Sequence, residues 1–325
     1  MSITEKVLEF LENNRGKYVS GGDLAAELGV SRNSVWKAVN ALKAKGYEIG
    51  AVTNKGYVLY ESNRIMSAQS IEKYLNNDKI RVEFREKVTS TNTVLKDIAE
   101  KGECEGLLLA AAEQSAGKGR LGRSFLSPNG TGVYFSLLLK PKLKPADSLL
   151  ITTCAAVAVA KAVEKNSEGE TQIKWVNDVY KNGKKICGIL TEASFDMEGG
   201  GIAWAVLGIG INMFFPEGSL PDDLKDKVGS VFTNDDFTSD DMSRIVADTV
   251  NLFTEEYTRL TEKRFLEDYR KRSYLDDKRI AVIKSNGSYD AVCEGIDDDF
   301  RLRVRYSDGK TEYLSSGEVS TSVIK

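Results

Sequence analysis

The sequence predicts an α+β protein of two or three domains, and three observations carry that reading. At 325 residues the chain exceeds the roughly 100 to 200 residues of a typical single domain. Residues 2–60 read as three short helices followed by a hairpin. From about Met66, helical stretches alternate with strongly apolar, strand-like ones, as in a domain with a mixed or antiparallel sheet.

In the first module, Ile3, Val7, Leu8 and Leu11 recur at helical spacing, and Arg15-Gly16-Lys17 ends that helix. Ser20 to Asp23 has the form of a capping box, with Leu24, Ala25 and Leu28 facing inward and Gly29 as the stop. Ser31 caps a third helix, Arg32 to Lys45, whose Val35, Trp36, Val39 and Leu42 are expected to pack inward. Between Ser31 and Gly46 every charged residue is basic, whereas the first two helices carry Glu5, Glu9, Glu12, Asp23 and Glu27. Tyr47 to Tyr60 forms two apolar stretches joined at Thr53-Asn54-Lys55-Gly56, a hairpin turn.

Strands are expected at Leu107 to Ala112, Val133 to Leu139, Lys185 to Thr191 and Ile202 to Ile209. Helices are expected near Thr93 to Lys101, Ala146 to Lys165 and within Asp240 to Lys271, with a surface loop around Pro221-Asp222-Asp223. The apolar run Leu149 to Ala160 is too short for a membrane span, and the N-terminus has no leader pattern, so a soluble cytoplasmic protein without membrane attachment is expected.

The chain has no histidine, which excludes Ser-His-Asp hydrolases, papain-like proteases and His-bearing zinc sites. Cys104, Cys154, Cys187 and Cys293 lie far apart without a CxxC pair and read as buried or incidental thiols of a reducing compartment. With 45 basic and 48 acidic residues the net charge is −3, so any affinity for an anion must be local.

One such local feature is Gln114-Ser115-Ala116-Gly117-Lys118-Gly119-Arg120-Leu121-Gly122-Arg123-Ser124-Phe125. Its glycines free the backbone, while Lys118, Arg120 and Arg123 set three cations close together, a combination suited to a phosphate-bearing ligand. The formal G-x-G-x-x-G lacks its dinucleotide-fold context, because Pro128, Gly130 and Gly132 lead into a strand and not a helix. A cationic strand-to-strand loop remains, with a mobile basic surface loop as the plain alternative.

Helix, turn, helix and hairpin resemble the winged-helix DNA-binding domain. That resemblance implies that Arg32, Asn33, Ser34 and Lys37 reach bases or phosphates of operator DNA and that Lys55, at the wing tip, touches backbone. One module makes few contacts, so a homodimer spanning half-sites about 34 Å apart is expected. A three-helix protein-binding module with a solvated basic face is the alternative.

Three further stretches, Ser90-Thr91-Asn92, Lys174-Trp175-Val176-Asn177-Asp178 continuing through Asn182-Gly183 to Leu190, and Gly208-Ile209-Gly210-Ile211-Asn212, complete a second resemblance. With the glycine-rich loop, they make the chain similar over essentially its whole length to the BirA-type bifunctional biotin protein ligases and biotin operon repressors. The resemblance implies a winged helix over 1–63, a catalytic domain over 66–274 and an SH3-like barrel over 275–325, the last on Arg279 to Val323 with Gly295-Ile296-Asp297 and Gly317-Glu318-Val319-Ser320. It implies biotin and ATP as substrates, magnesium, and a carboxylase's biotin carboxyl carrier domain as partner.

By the same resemblance Ser90, Thr91, Asn92, Gln114, Lys118, Gly119, Arg120, Lys185 and Gly188 bind biotin. Arg120, Arg123, Lys174, Asn177 and Asn212 bind the nucleotide. Lys185, Arg120 and Asp178 are the catalytic candidates, with Asp178 either placing magnesium or helping to remove a proton from the attacking lysine. Asn177 and Asp178 read alternatively as shaping the turn, Ser90-Thr91-Asn92 as an ordinary helix cap, and Trp175 and Trp204 as core. Phe214 and Phe215 are candidates to cover adenine. Lys118 and Phe125 stand where the family's loop commonly has Arg and Trp, and Val176 where it has Pro. Neither step of biotin transfer needs histidine. Rival readings are a lipoate or octanoate ligase and a non-catalytic biotin-sensing transcription factor.

Overall fold

The computed structural model describes residues 1–196, 198–284, 287–315 and 320–323. It begins with α1 (Ile3–Asn13), α2 (Gly21–Glu27) and α3 (Arg32–Ala44), capped by the hydroxyls of Ser2, Ser20 and Ser31. Their inward stripes, among them Val7, Leu11, Leu24, Val35, Val39 and Leu42, form a separate core. The hairpin β1 (Ile49–Val52) and β2 (Gly56–Leu59) closes over it, turning at Asn54 with φ 68°. Gly56 lies so close to the Val19 carbonyl that a Cβ there would overlap it.

Trp36 does not pack inward: it is 53% exposed. At 3.6 residues per turn, Val35, Val39 and Leu42 define the buried stripe, and the next residue after Val35 is rotated about 100° off it. Ile3, on the first turn of α1, is also exposed.

The chain continues with α4 (Ala68–Glu72), β3 (Arg81–Val88), α5 (Thr91–Glu100), β4 (Leu107–Gln114), β5 (Gly132–Leu139) and α6 (Leu149–Asn166). It then forms β6 (Thr171–Lys174), β7 (Asp178–Lys181), β8 (Lys184–Phe195), β9 (Ile202–Asn212), α7 (Ser239–Tyr257) and α8 (Leu266–Lys271). Strands β3 to β9 make one mixed sheet in the order β3-β4-β5-β9-β8-β7-β6, in which only β3 and β4 run parallel.

Strand alternation divides the residues between two faces. Leu108, Phe135, Leu137, Leu207 and Ile209 pack with α6 and α7, whereas Leu107, Leu109, Leu138 and Val206 pack with Leu95 and Ala99 of α5. With its leading turn from Pro145, α6 is long and apolar enough by composition to cross a membrane, longer than Leu149 to Ala160 suggested. Most of that stretch is buried in the core, as expected of a helix apolar on nearly all sides.

The final strands, β10 (Arg279–Lys284), β11 (Gly287–Ile296), β12 (Leu302–Tyr306), β13 (Thr311–Leu314) and β14 (Ser320–Val323), form an antiparallel sheet in the order β13-β12-β11-β10-β14. Among the described residues its two edge strands do not pair, so the expected barrel is seen as an open five-stranded sheet. Gly317-Glu318-Val319 lies outside the described residues. The core runs unbroken from the central sheet into this one through Tyr269, Phe300, Ile280 and Val282. The Trp175 indole N–H donates to the Phe300 carbonyl at 2.8 Å.

The winged helix is fastened by a buried polar junction. Arg15 pairs with Glu12 at 2.7 Å and donates to Ser239 Oγ at 3.1 Å, while Ser239 Oγ donates to the Asn63 carbonyl at 2.7 Å. Glu12, Asn63 and Ser239 are essentially inaccessible. Burial raises the Glu12 pKa even against the adjacent Arg15 guanidinium.

Candidate active site

Three glycines on neighbouring strands leave a gap in the α5 face of the sheet. Gly188 of β8 sits opposite Gly210 of β9, and Leu190 sits opposite Gly208. A cavity of about 170 Å³ lies above them. The Phe125 ring rests on this floor, since a Cβ on Gly210 would come within 2.5 Å of it and one on Gly188 within 3.1 Å. An edge contact with Tyr134 steadies that ring at a centroid distance of 6.4 Å. Gly208 and Gly210 were not among the predicted ligand contacts. The glycine alternation along one strand was the available clue, because residues two apart share a face.

One wall is the start of α5. Ser90 makes no capping hydrogen bond. The Thr91 N–H at the start of the helix donates instead to Gln114 Oε1 at 2.9 Å, and Gln114 Nε2 donates to Ser127 Oγ at 2.9 Å. Ser90, Thr91, Asn92 and Gln114 all line the cavity. Asn92 spends its amide protons on the Leu190 carbonyl and on Glu192.

The roof is the glycine-rich segment, folded as a tight hairpin. Gly119 N–H donates to the Arg123 carbonyl at 2.7 Å and Phe125 N–H to the Gly117 carbonyl at 2.9 Å, with Leu121 and Gly122 turning at φ 55° and 73°. Lys118, Gly119, Arg120 and Arg123 face the cavity, and Arg120 Nη1 donates to Asn177 Oδ1 at 2.9 Å. Burial lowers the Arg120 pKa, yet a guanidinium remains charged throughout the physiological range.

The far wall comes from β6, β7 and β8, where Asp178 is in register with Lys174 on one side and Gly188 on the other. The peptide between Trp175 and Val176 is cis. Lys185 Nζ lies 2.7 Å from Asp178 Oδ1, an ion pair between neighbouring strands. Burial also lowers the Lys174 pKa, against the pull of Asp178. Asn177 Nδ2 donates to the Ile189 carbonyl, which ties the turn to β8. Trp175 is buried, as expected of a core residue, and also lines the cavity; Trp204 packs beside α5.

Five cations, Lys118, Arg120, Arg123, Lys174 and Lys185, thus line the cavity against one carboxylate, Asp178. That imbalance favours a polyanion in a poorly solvated space. Cys187 is fully buried, and burial pushes its thiol pKa up, which keeps it from acting as a nucleophile. Cys154 and Cys293 are likewise buried, while Cys104 is exposed.

Asn212 does not line the cavity. Its amide donates to the Gly229 carbonyl at 3.1 Å, pinning the segment after β9. Phe214 packs near Phe237, and Phe215 borders a separate cavity with Lys181 and Lys184. In the winged helix, Asn33, Trp36, Lys37 and Asn40 share one exposed face of α3 at spacings of three and four. The Ser34 and Ser31 hydroxyls meet at 2.9 Å, the Arg32 guanidinium lies against Gly22, and Lys55 Nζ sits 5.7 Å over the Tyr18 ring.

The chain matches the biotin/lipoate A/B protein ligase family over residues 84–212, an HTH domain over 4–58 and the biotin protein ligase C-terminal domain over 277–321. The bifunctional ligase/repressor BirA of Bacillus subtilis is 34% identical over 227 residues, covering 69% of each chain. The chain belongs to the BirA-type biotin protein ligases. The BirA of Escherichia coli is 32% identical over 213 residues, 65% of this chain and 64% of that one. A biotin protein ligase from Aquifex aeolicus, solved with biotin and ATP, matches with a TM-score of 0.62 at 25% identity, over 75% of this chain and 99% of that one.

Proposed function

We propose that this ligase condenses biotin with ATP to biotinyl-5′-AMP and passes the biotinyl group to one lysine of a biotin carboxyl carrier domain, of the acetyl-CoA or pyruvate carboxylase type. The observation that carries this reading is the set of five cations around one carboxylate. A biotin carboxylate oxygen attacks the α-phosphorus of ATP, a new P–O bond forms and pyrophosphate leaves. Two anions must approach each other, and Lys185, Arg120 and the hairpin's cations neutralise that repulsion. The carrier lysine then attacks the acyl carbon, AMP departs, and the amine loses a proton, for which Asp178 is the acceptor within the cavity.

Asp178 also fits magnesium. Its carboxylate lines the cavity, and this ion commonly takes one or two carboxylates together with substrate phosphates. Asp178 would hold it beside the nucleotide, where it would supply charge neutralisation. Among the described residues no cluster of three or more acidic or thiol ligands provides another metal site.

We further propose a division into 1–63, 66–274 and 275–325, the last closing as an SH3-like barrel, and a cytoplasmic protein that represses biotin synthesis genes as a homodimer on operator DNA. The separate winged-helix core and the exposed face of Asn33, Trp36 and Lys37 support DNA binding. Ligand-dependent closure of the Gly117–Phe125 hairpin is the coupling step.

Biotin-dependent exchange between ATP and pyrophosphate tests the enzyme. Exchange with biotin and not with lipoate is expected. Exchange with lipoate alone would establish the lipoate ligase, and none with either acid, from folded protein, would leave a sensor that only binds.

A further inference from the structure

We propose that Tyr180 is a positioning residue for the reaction: the face of its ring holds the Lys174 ammonium in the cavity without neutralising it, so that the full charge meets the phosphates of the nucleotide. This rests on the reading of the cavity as the place where ATP reacts.

The cations of the cavity are held in different ways. Lys185 pairs with the Asp178 carboxylate at 2.7 Å, and Arg120 donates to the Asn177 amide oxygen at 2.9 Å. Among the described residues no hydrogen bond or ion pair restrains the Lys174 ammonium. It meets the ring of Tyr180 instead, with Nζ 5.8 Å from the centroid. That is within the roughly 6 Å over which a ring face attracts a cation. A lysine on a free four-carbon stem spreads over many rotamers, and ordering it on a ligand costs affinity.

The sheet sets the ring in place. Lys174 of β6 is in register with Asp178 of β7, and Tyr180 stands two residues on from Asp178, on the same face and one pleat further from the cavity. Lys174 lines the cavity and Tyr180 does not. A carboxylate at position 180 would also grip the ammonium, but it would cancel charge that a polyphosphate requires. The ring quadrupole attracts the cation and leaves its net charge intact.

The ring is braced from its outer side. Tyr274 stacks on Tyr180 with centroids 4.6 Å apart and planes inclined by 26°. The backbone before it runs along β6: the Ile173 N–H donates to the Arg272 carbonyl at 2.6 Å and the Tyr274 N–H to the Ile173 carbonyl at 2.9 Å. Lys278 Nζ lies 3.5 Å from the Tyr274 centroid. A row of lysine, tyrosine, tyrosine and lysine thus starts in the cavity and ends at the foot of β10. The Tyr180 hydroxyl makes no hydrogen bond among the described residues, so the row depends on the ring and not on the phenol oxygen.

Biotin-dependent exchange between ATP and pyrophosphate tests this, on full-length protein with Tyr180 replaced by phenylalanine, by phenylalanines carrying one, two or three fluorines, and by leucine. Fluorine drains the ring face step by step at nearly constant shape. Tyr180→Phe is expected to keep the KM for ATP within about twofold of wild type, the trifluorinated ring to raise it about fivefold and Tyr180→Leu about tenfold, with the KM for biotin unchanged throughout. In a Lys174→Met background, whose own KM for ATP is raised, the same replacements are expected to change it by less than about twofold, because the ring then has no cation to hold. A flat fluorine series would overturn the inference, and it remains decisive even if Tyr180→Leu does not fold. A Phe variant as impaired as the Leu variant would also overturn it, as would a penalty that persists undiminished without Lys174. A folded wild type that shows no biotin-dependent exchange would remove the reading of the cavity itself, before any variant is compared.

Discussion

Lys185 and Asp178 face each other at 2.7 Å from neighbouring strands, the ammonium of one against a carboxylate oxygen of the other, and both line the cavity. On the proposed mechanism each charge of the pair serves a different step. Lys185→Ala is expected to lower biotin-dependent pyrophosphate exchange by about 100-fold, the order seen when one donor to developing negative charge is removed. Asp178→Asn is expected to impair transfer to the carrier lysine and to weaken the dependence on magnesium. Parallel exchange and transfer assays on the two variants separate these effects.

Arg120 reaches Asn177 through a directional guanidinium bond, which a lysine cannot reproduce. Arg120→Lys is expected to keep the charge but raise the KM for ATP about tenfold, equivalent to about 1.4 kcal/mol. Steady-state exchange over a range of ATP concentrations measures it.

Gly208 and Gly122 respond differently to alanine. A methyl on Gly208 would overlap Asn92, so Gly208→Ala is expected to cost about 1 to 3 kcal/mol of stability and to abolish biotin binding. Gly122 turns at φ +73° in open space, so Gly122→Ala is expected to cost only about 1 to 2 kcal/mol of backbone strain and to leave the fold intact. Thermal unfolding with and without biotin compares them.

The junction beneath the winged helix is buried on both sides. Removing Arg15 strands a buried carboxylate and is expected to cost about 3 to 5 kcal/mol. The folded pKa of Glu12 is raised above its ordinary 4.5, so the stability this group contributes is full below that value and is lost as pH rises through the raised one. Denaturant titrations of wild type and Glu12→Gln from acid to neutral pH should converge at low pH if the sign is right.

Local chemistry was legible before the structure. Ser31 as a cap, the turn at Asn54 and the cationic glycine loop each depend on residues within a few positions of one another. β3 was missed because Glu86 breaks the apolar row of Val82, Phe84 and Val88 and leaves a strand dominated by charge, and β6 and β7 because four residues are too few to show a period. Trp36 was misplaced because hydrophobicity alone does not distinguish adjacent positions on a helix. Ser136, Glu192 and Phe300 reach the site or its supports only through pairing over long stretches of chain, which leaves no local trace.

The tryptophans give the molecule an optical vocabulary of its own. Trp36 stands largely in water on α3, Trp204 is half-buried beside α5, and Trp175 is enclosed with its indole bonded to Phe300. Emission from Trp36 should be red-shifted and open to a soluble quencher, and that from Trp175 blue-shifted and shielded. Events at the outer face of the winged helix and events at the ligand cavity can therefore be followed as separate colours of one unlabelled chain.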